Sequence, residues 1–254
     1  MKINPTTRFS DRVADYVKYR PSYPQAVLEH LAAHCQLTSQ FVIADIGSGT
    51  GIFSKLLLER GCTVHGVEPN EGMRLAAEEL LQAFPKFYSV AAPAETTTLP
   101  NNSVDFVTAA QAFHWFDLPQ FKQECQRILK PGGHLVVLWN DRETDTTLFL
   151  SAYERFLQKH AVDYKTVDHK QFNANEMQAF FAPAPCHYAE FANHQDRDRD
   201  ALLGRVLSSS YMPGRNDSGY AAMVKDLDIL FAKHEKNGFV RLDYRTQIYY
   251  GKLD

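Results

Sequence analysis

Cysteine is sparse in this sequence and never paired at short range. Cys35, Cys62, Cys125 and Cys186 stand apart with no Cys-x-x-Cys spacing, which argues against a zinc ribbon or a thioredoxin-type redox site. They read as ordinary thiols in a reducing compartment. An excess of charge is also missing. With 27 Lys and Arg against 30 Asp and Glu the net charge is −3, far from the basic balance that counterion-release binding to nucleic acid needs. No nucleic-acid partner is expected. No stretch approaches the roughly 18 continuous apolar residues of a membrane span, and the opening MKINPTTRFSDRVADYVKYRPSYP lacks the apolar segment of a secretory signal. The expectation is a cytosolic protein with no membrane span. Internal repeats and low-complexity linkers are absent too, so no clean domain boundary is marked.

What is present is an ordinary globular composition, 44% hydrophobic over 254 residues, enough to bury a large core without disulfides or metals. Residues 41–140 alternate short β-branched runs with amphipathic stretches, the pattern of βαβ units on a parallel sheet. Strands are predicted at 41–46, 63–68, 87–91, 104–110 and 134–139, the last preceded by a turn at Lys130-Pro131-Gly132-Gly133. A helix after Gly51 carries Ile52, Phe53, Leu56 and Leu57. Asn70 caps a second, carrying Met73, Leu75, Ala76, Leu80 and Leu81. A third spans 119–129. Beyond residue 141 helices dominate (148–161, 175–181, 200–209, 220–236), with strands at 188–194 and in the alternating run from Val240 to Tyr250. The fold class is α/β, a Rossmann-like doubly wound sheet with a helical cap.

The strongest local signal is Asp45-Ile46-Gly47-Ser48-Gly49-Thr50-Gly51, where the first strand meets the first helix. Alternate glycines let backbone turn tightly and approach a ligand, and the helix N-terminus offers free N–H groups. A nicotinamide fingerprint needs a third glycine at position 52, which is Ile52, and a P-loop needs Gly-Lys-Ser/Thr, which is missing. Glu68 ends the second strand about 20 residues past the loop, where a carboxylate can accept both hydroxyls of a ribose.

These residues, together with VIADIGSGTG, the acidic VEP, Ala94-Glu95, VDFVTAAQAFHWFD and LKPGGHLVV in that order, resemble class I S-adenosylmethionine-dependent methyltransferases. The likeness covers roughly residues 8–140. RFSDRVADYVKYRPSYP and RLDYRTQIYYGKL further resemble the small-molecule branch that includes trans-aconitate methyltransferase-like and ubiquinone-biosynthesis-like enzymes. The resemblance implies seven strands, mostly parallel with the last antiparallel. It divides the chain into an N-terminal lid (1–40), a cofactor-binding core (41–141), and a helical cap with closing strands (142–254).

It also implies roles. Asp45, Gly47, Ser48, Gly49, Thr50 and Gly51 would pack against the methionine part of S-adenosylmethionine. Glu68 would hold the ribose, Pro69 and Met73 would line the adenine pocket, and Ala94 and Glu95 would reach the adenine edge. Gln111, Ala112 and Phe113 would border the sulfonium, although a Phe at such a position is more often core than contact, and the other reading of Gln111 is the cap of a chain reversal. Tyr19 and Arg20 would close on the cofactor, with Arg20 pairing a carboxylate of cofactor or acidic substrate; the alternative is a surface helix ending at Pro21. Tyr16, Trp115 and Asn140 are candidates for the acceptor, with a turn as the other reading of Asn140. His114 is the candidate general base if the acceptor must lose a proton; a carboxylate or thiolate acceptor needs none.

His30 and His34 stand four apart beside Cys35, but no third ligand follows at useful spacing, so no metal is expected. The run Asp196 to Asp200 alternates in sign and reads as a solvated loop entering a helix. The function implied is methyl transfer to a small, acidic organic acceptor. The alternatives are a non-catalytic S-adenosylmethionine-binding module and a nicotinamide oxidoreductase, the latter disfavoured by Ile52 and by the lack of a Tyr-x-x-x-Lys arrangement after the fourth strand.

Overall fold

The computed structural model describes residues 13–162 and 172–253; the Arg8–Arg12 end of the N-terminal motif lies outside them. Helices α1 (Val13–Tyr19) and α2 (Gln25–Cys35) lead into β1 (Val42–Ile46), α3 (Ile52–Glu59), β2 (Thr63–Val67), α4 (Glu71–Leu81), β3 (Phe87–Val90) and β4 (Val104–Ala110). A 3-10 turn, Phe113–Trp115, precedes α5 (Leu118–Ile128) and β5 (Leu129–Arg142). The chain continues through α6 (Leu148–His160), α7 (Ala174–Phe181), β6 (His187–Arg197), α8 (Arg199–Leu207), α9 (Tyr220–His234) and β7 (Val240–Lys252).

The strands form one seven-stranded sheet in the order β3-β2-β1-β4-β5-β7-β6. Pairing is parallel from β3 to β5, and β7 enters antiparallel between β5 and β6. This is the expected sheet with its antiparallel last strand. Its order reverses between β1 and β4, and in open α/β sheets the crevice outside the carboxyl ends of the strands at such a point is where ligands bind.

The central strands are apolar runs because helices cover both faces. One face packs Ile46, Val67, Val107, Phe121 and Trp139 with Met177 and Phe181 of α7. The other packs Ile43, Phe106 and Ile248 against Val27, Leu28 and Leu31 of α2 and Phe53 and Leu57 of α3. A third cluster joins α6, α8 and α9 to Val240, Leu242 and Tyr244 of β7. Among the described residues five helices start on side-chain caps: Asn70, Asp117, Thr147, Asn173 and Asp198 accept the N–H of Met73, Gln120, Leu150, Glu176 and Ala201, each worth about 1 kcal/mol.

Three local expectations need correction. Leu75 and Leu80 are exposed, because the buried stripe of α4 is Met73, Ala77 and Leu81, four residues apart. The stretch 130–133 is not a free turn: β5 already begins at Leu129, pairing with Val104, and a register shift before Phe106 takes up Gly132 at φ +81°. The run 196–200 is not a solvated loop. Arg197 closes β6 on its half-buried face, Asp198 caps α8, and Asp196 pairs outward with Arg241. Among the described residues no helix is long and apolar enough to cross a membrane.

Candidate functional site

The glycine loop leaves the carboxyl end of β1 over a buried carboxylate. Asp45 accepts Ser54 Oγ at 2.6 Å and Thr108 Oγ1 at 2.8 Å, and the backbone N–H of Ser54 also points to it. Burial pushes its pKa up to about 6, against the pull of these hydrogen bonds. With no exposed surface, Asp45 pins α3 and β4 beneath the loop.

Gly47, Gly49 and Gly51 have φ of +67°, +57° and +81°. A Cβ on Gly47 would lie 2.4 Å from Ala112 Cβ, whereas one on Gly49 would meet no heavy atom within 4 Å. The N–H groups of Gly47 and Ser48 are taken by the Val67 carbonyl at 2.8 and 3.2 Å. Thr50 is buried and its Oγ1 has no partner. The loop therefore has an occupied underside and an open space over Gly49.

Glu68 follows β2 beside that space. Its Oε2 accepts the Gly49 N–H at 3.0 Å and its Oε1 the Asn70 N–H at 2.8 Å, so each oxygen keeps a lone pair. Burial raises its pKa, partly offset by those two N–H groups and by Arg74. Met73 is buried on α4, and Pro69 is exposed. Ala94 is buried, and half-buried Glu95 accepts the Asp117 N–H at 2.8 Å.

Past β4, Gln111 takes a left-handed φ of +59° and donates its backbone N–H to Leu138 and its Nε2 to the Asn140 carbonyl. This reversal delivers Ala112 to Gly47 and sets half-buried His114 and Trp115 in the 3-10 turn, their rings 4.8 Å apart.

Phe113 turns into the core. It is fully buried, edge-on to Phe172 and Phe180 at 5.0 and 4.9 Å and near Phe121 and Trp139, because burial among rings stabilises it more than a ligand face would. Asn140 is likewise committed. Its Nδ2 donates to the Ser22 carbonyl at 3.2 Å, and its Oδ1 accepts from Thr246 and Asn193. Tyr19 packs edgewise on α8, where a Cβ on Gly204 would fall 2.0 Å from its ring.

The segment 19–24 straps the carboxyl ends of β5 and β6. Ser22 O accepts from Asn140 and Asn193, and Tyr19 O from Arg197 and Gln195. Arg20 lies 4.8 Å over the Tyr16 ring and donates Nη2 to Ser208 O at 2.8 Å.

Arg197, Arg205 and Tyr244, which converge near Arg20, are not among the site residues that the sequence suggests. For Arg197 the signal is the two-residue period of β6, in which 189, 191, 193, 195 and 197 share the half-buried face. His30 and His34 sit far from the loop, 4.2 Å apart on α2, with His30 Nε2 bonded to Tyr250 Oη at 3.0 Å. A cavity of about 320 Å³ also opens at that opposite end of the sheet, lined by His34, Cys35, His134, His187 and Lys252 among others.

Residues 44–137 match the methyltransferase domain family model. An uncharacterised methyltransferase of Mycobacterium tuberculosis is 36% identical over 135 residues, 53% of this chain and 53% of that protein. An uncharacterised methyltransferase-like protein of Schizosaccharomyces pombe is 30% identical over 156 residues, 61% of this chain and 59% of that protein. The chain thus spans little more than half the length of these curated relatives. A solved structure of a candidate type II methyltransferase from Anaeromyxobacter dehalogenans superimposes with a TM-score of 0.69 at 24% identity, covering 92% of this chain and 98% of that one. That last likeness is one of fold.

Proposed function

We propose that the chain moves a methyl group from S-adenosylmethionine to a small organic acceptor, a reading supported by the match of residues 44–137 to the methyltransferase domain model. The observation that carries this reading is the open space over Gly49, flanked by Glu68 and by the unpartnered Thr50 hydroxyl. A cofactor with a ribose diol and a zwitterionic tail fits such a cradle. The free lone pairs of Glu68 would take the ribose hydroxyls, and the Gly49–Gly51 backbone with Ser48 and Thr50 would take the methionine part. Met73 and Pro69 would bound the adenine on one side and Ala94 and Glu95 on the other, with Gln111 and Ala112 beside the sulfonium.

The bound cofactor supplies a methyl carbon already made electrophilic by its cationic sulfur. Held by Glu68, Ser48, Gly49 and Thr50, it would supply that methyl group to the acceptor atom, with the carbon–sulfur electron pair left on sulfur. Holding the three atoms in line contributes roughly 7–11 kcal/mol in the best oriented systems. The chain's part is to position and to exclude water: His114 and Trp115 face the acceptor side of the 3-10 turn, and the strap at 19–24 with α6, α8 and α9 covers it. His114 takes a proton where the acceptor must lose one.

On this reading 1–40 is a lid, 41–141 the cofactor-binding core, and 142–254 a cap with closing strands. The net charge of −3 favours a small molecule over nucleic acid, and the guanidinium of Arg20 favours an acidic one. The test is thermal stability with S-adenosylhomocysteine, against NAD and ATP, on protein first freed of carried-over ligand. At 100 times its dissociation constant the ligand should stabilise by about 2.7 kcal/mol. A shift with NAD alone, or with none of the three, rejects the reading.

A further inference from the structure

Three guanidinium groups converge on the Tyr244 hydroxyl at the carboxyl end of the sheet. Arg205, 8% exposed on α8, donates Nε to Tyr244 Oη at 3.3 Å and Nη1 to Ser209 and Ser208. Arg197, ending β6, gives Nη2 to Tyr19 O, and its buried Nε has no partner. Arg20 gives Nη2 to Ser208 O, and its buried Nε has no partner either. Burial and the charge of Arg205 lower the pKa of Arg20.

No carboxylate of the described residues is hydrogen-bonded or ion-paired to any of the three. Those nearby in the chain are engaged elsewhere: Asp196 with Arg241, Asp198 at the α8 cap, Asp200 with Arg199, Asp15 with Arg215, Glu154 with Arg142. Buried charges are ordinarily paired, so a like-charged cluster with unclaimed N–H donors calls for an anion.

The cluster lies on the ligand side of the sheet. Tyr244 pairs with Arg142 at the carboxyl end of β5 and with Asn193 on β6. Tyr23 links it to the glycine loop: its ring meets Phe53 of α3 edge-on at 5.1 Å, and its phenol feels the charges of both Asp45 and Arg20.

We propose that Arg20, Arg197 and Arg205, grouped about the Tyr244 phenol, whose own O–H is committed to Gln195 Oε1 at 3.2 Å, form an oxyanion-binding subsite that anchors the methyl acceptor. This rests on the methyltransferase reading only for the word acceptor. The guanidinium fork matches carboxylate or phosphate bidentately, which Lys would not. An oxyanion whose lone pairs are held by N–H donors, with its charge compensated, is a poor nucleophile. The anchored group is therefore not the one methylated, and the acceptor is bifunctional: an acid that carries a second, nucleophilic group.

The test uses the whole chain, with and without saturating S-adenosylhomocysteine, titrated with succinate, inorganic phosphate and uncharged succinamide, followed by thermal stability and calorimetry. Succinate or phosphate should bind and stabilise while succinamide does not, and which of the two binds tells a carboxylate anchor from a phosphate one. Arg197→Gln, at a half-exposed position, should weaken that binding roughly tenfold or more and leave affinity for S-adenosylhomocysteine within about twofold. No response of the wild-type chain to either oxyanion overturns the proposal, as does equal binding by Arg197→Gln. Oxyanion binding without any response to S-adenosylhomocysteine would uphold the subsite and sink the methyltransferase reading.

Discussion

The backbone N–H of Gly49 donates to Glu68 Oε2 at 3.0 Å, tying the glycine loop to the end of β2. One carboxylate thus fixes the loop and keeps lone pairs for a ligand. Glu68→Gln preserves the shape, but one of its two side-chain groups becomes a donor facing an N–H, either that of Gly49 or that of Asn70. A charge-assisted hydrogen bond contributes about 1.5–3 kcal/mol, so affinity for S-adenosylhomocysteine should fall roughly 10- to 100-fold by calorimetry. Unchanged affinity would remove Glu68 from the site.

Gly47 and Gly49 share a left-handed φ but face different surroundings. Alanine at Gly47 would carry both the backbone cost, about 1–2 kcal/mol, and a collision with Ala112, about 1–3 kcal/mol more. At Gly49 only the backbone cost applies. Urea unfolding should therefore rank Gly47→Ala well below Gly49→Ala in stability. Gly49→Ala should fold and yet bind S-adenosylhomocysteine poorly, because its methyl group enters the open space. Equal stability of the two, or full binding by Gly49→Ala, would contradict this geometry.

The halves of the fold differ in how legible they were. The β1–loop–α3 unit, the cap at Asn70 and the acid at Glu68 could be read directly, because each depends on residues close in sequence: glycines at a turn, Asn before an apolar helix, a carboxylate at a strand end. The alternation from Val240 to Tyr250 marked β7 as a strand. Its insertion between β5 and β6 was not marked, since strand order is set by packing between distant segments. The same distinction explains the site. Phe113 and Asn140 sit beside candidate site positions in sequence but turn into the core, an outcome decided by Phe172, Phe180, Ser22 and Thr246. Arg197 and Arg205 become meaningful only once β6, α8 and the strap meet.

Asp45 gives the protein a pH dependence of definite sign. Its pKa is raised from an ordinary 3.8 to about 6, so the folded state holds the proton more tightly than the unfolded state. Its contribution to stability is fully present below about pH 4 and is lost as pH rises through about 6. At roughly 1.36 kcal/mol per unit this amounts to about 3 kcal/mol between those limits. Asp45→Asn keeps an acceptor without the charge. Relative to wild type, the variant should gain stability between pH 5 and pH 8 in ligand-free urea titrations. A constant difference across that range would show that the carboxylate does not titrate there.

Asn140 separates an architectural reading from an acceptor-binding one. Its amide joins Ser22 of the strap, Thr246 of β7 and Asn193 of β6, and the residue is only 5% exposed. Asn140→Ala would leave the Thr246 hydroxyl, buried, without its acceptor and would take one of two donors from Ser22 O. A buried polar group stripped of its partner costs about 1–3 kcal/mol, so the variant should lose about that much in urea unfolding. The strap would loosen, and amide exchange of residues 19–24 should quicken. An acceptor-binding role would give the opposite pattern, with stability and exchange unchanged and succinate binding lost, because a side chain that serves only a ligand can be removed from the free protein at little cost.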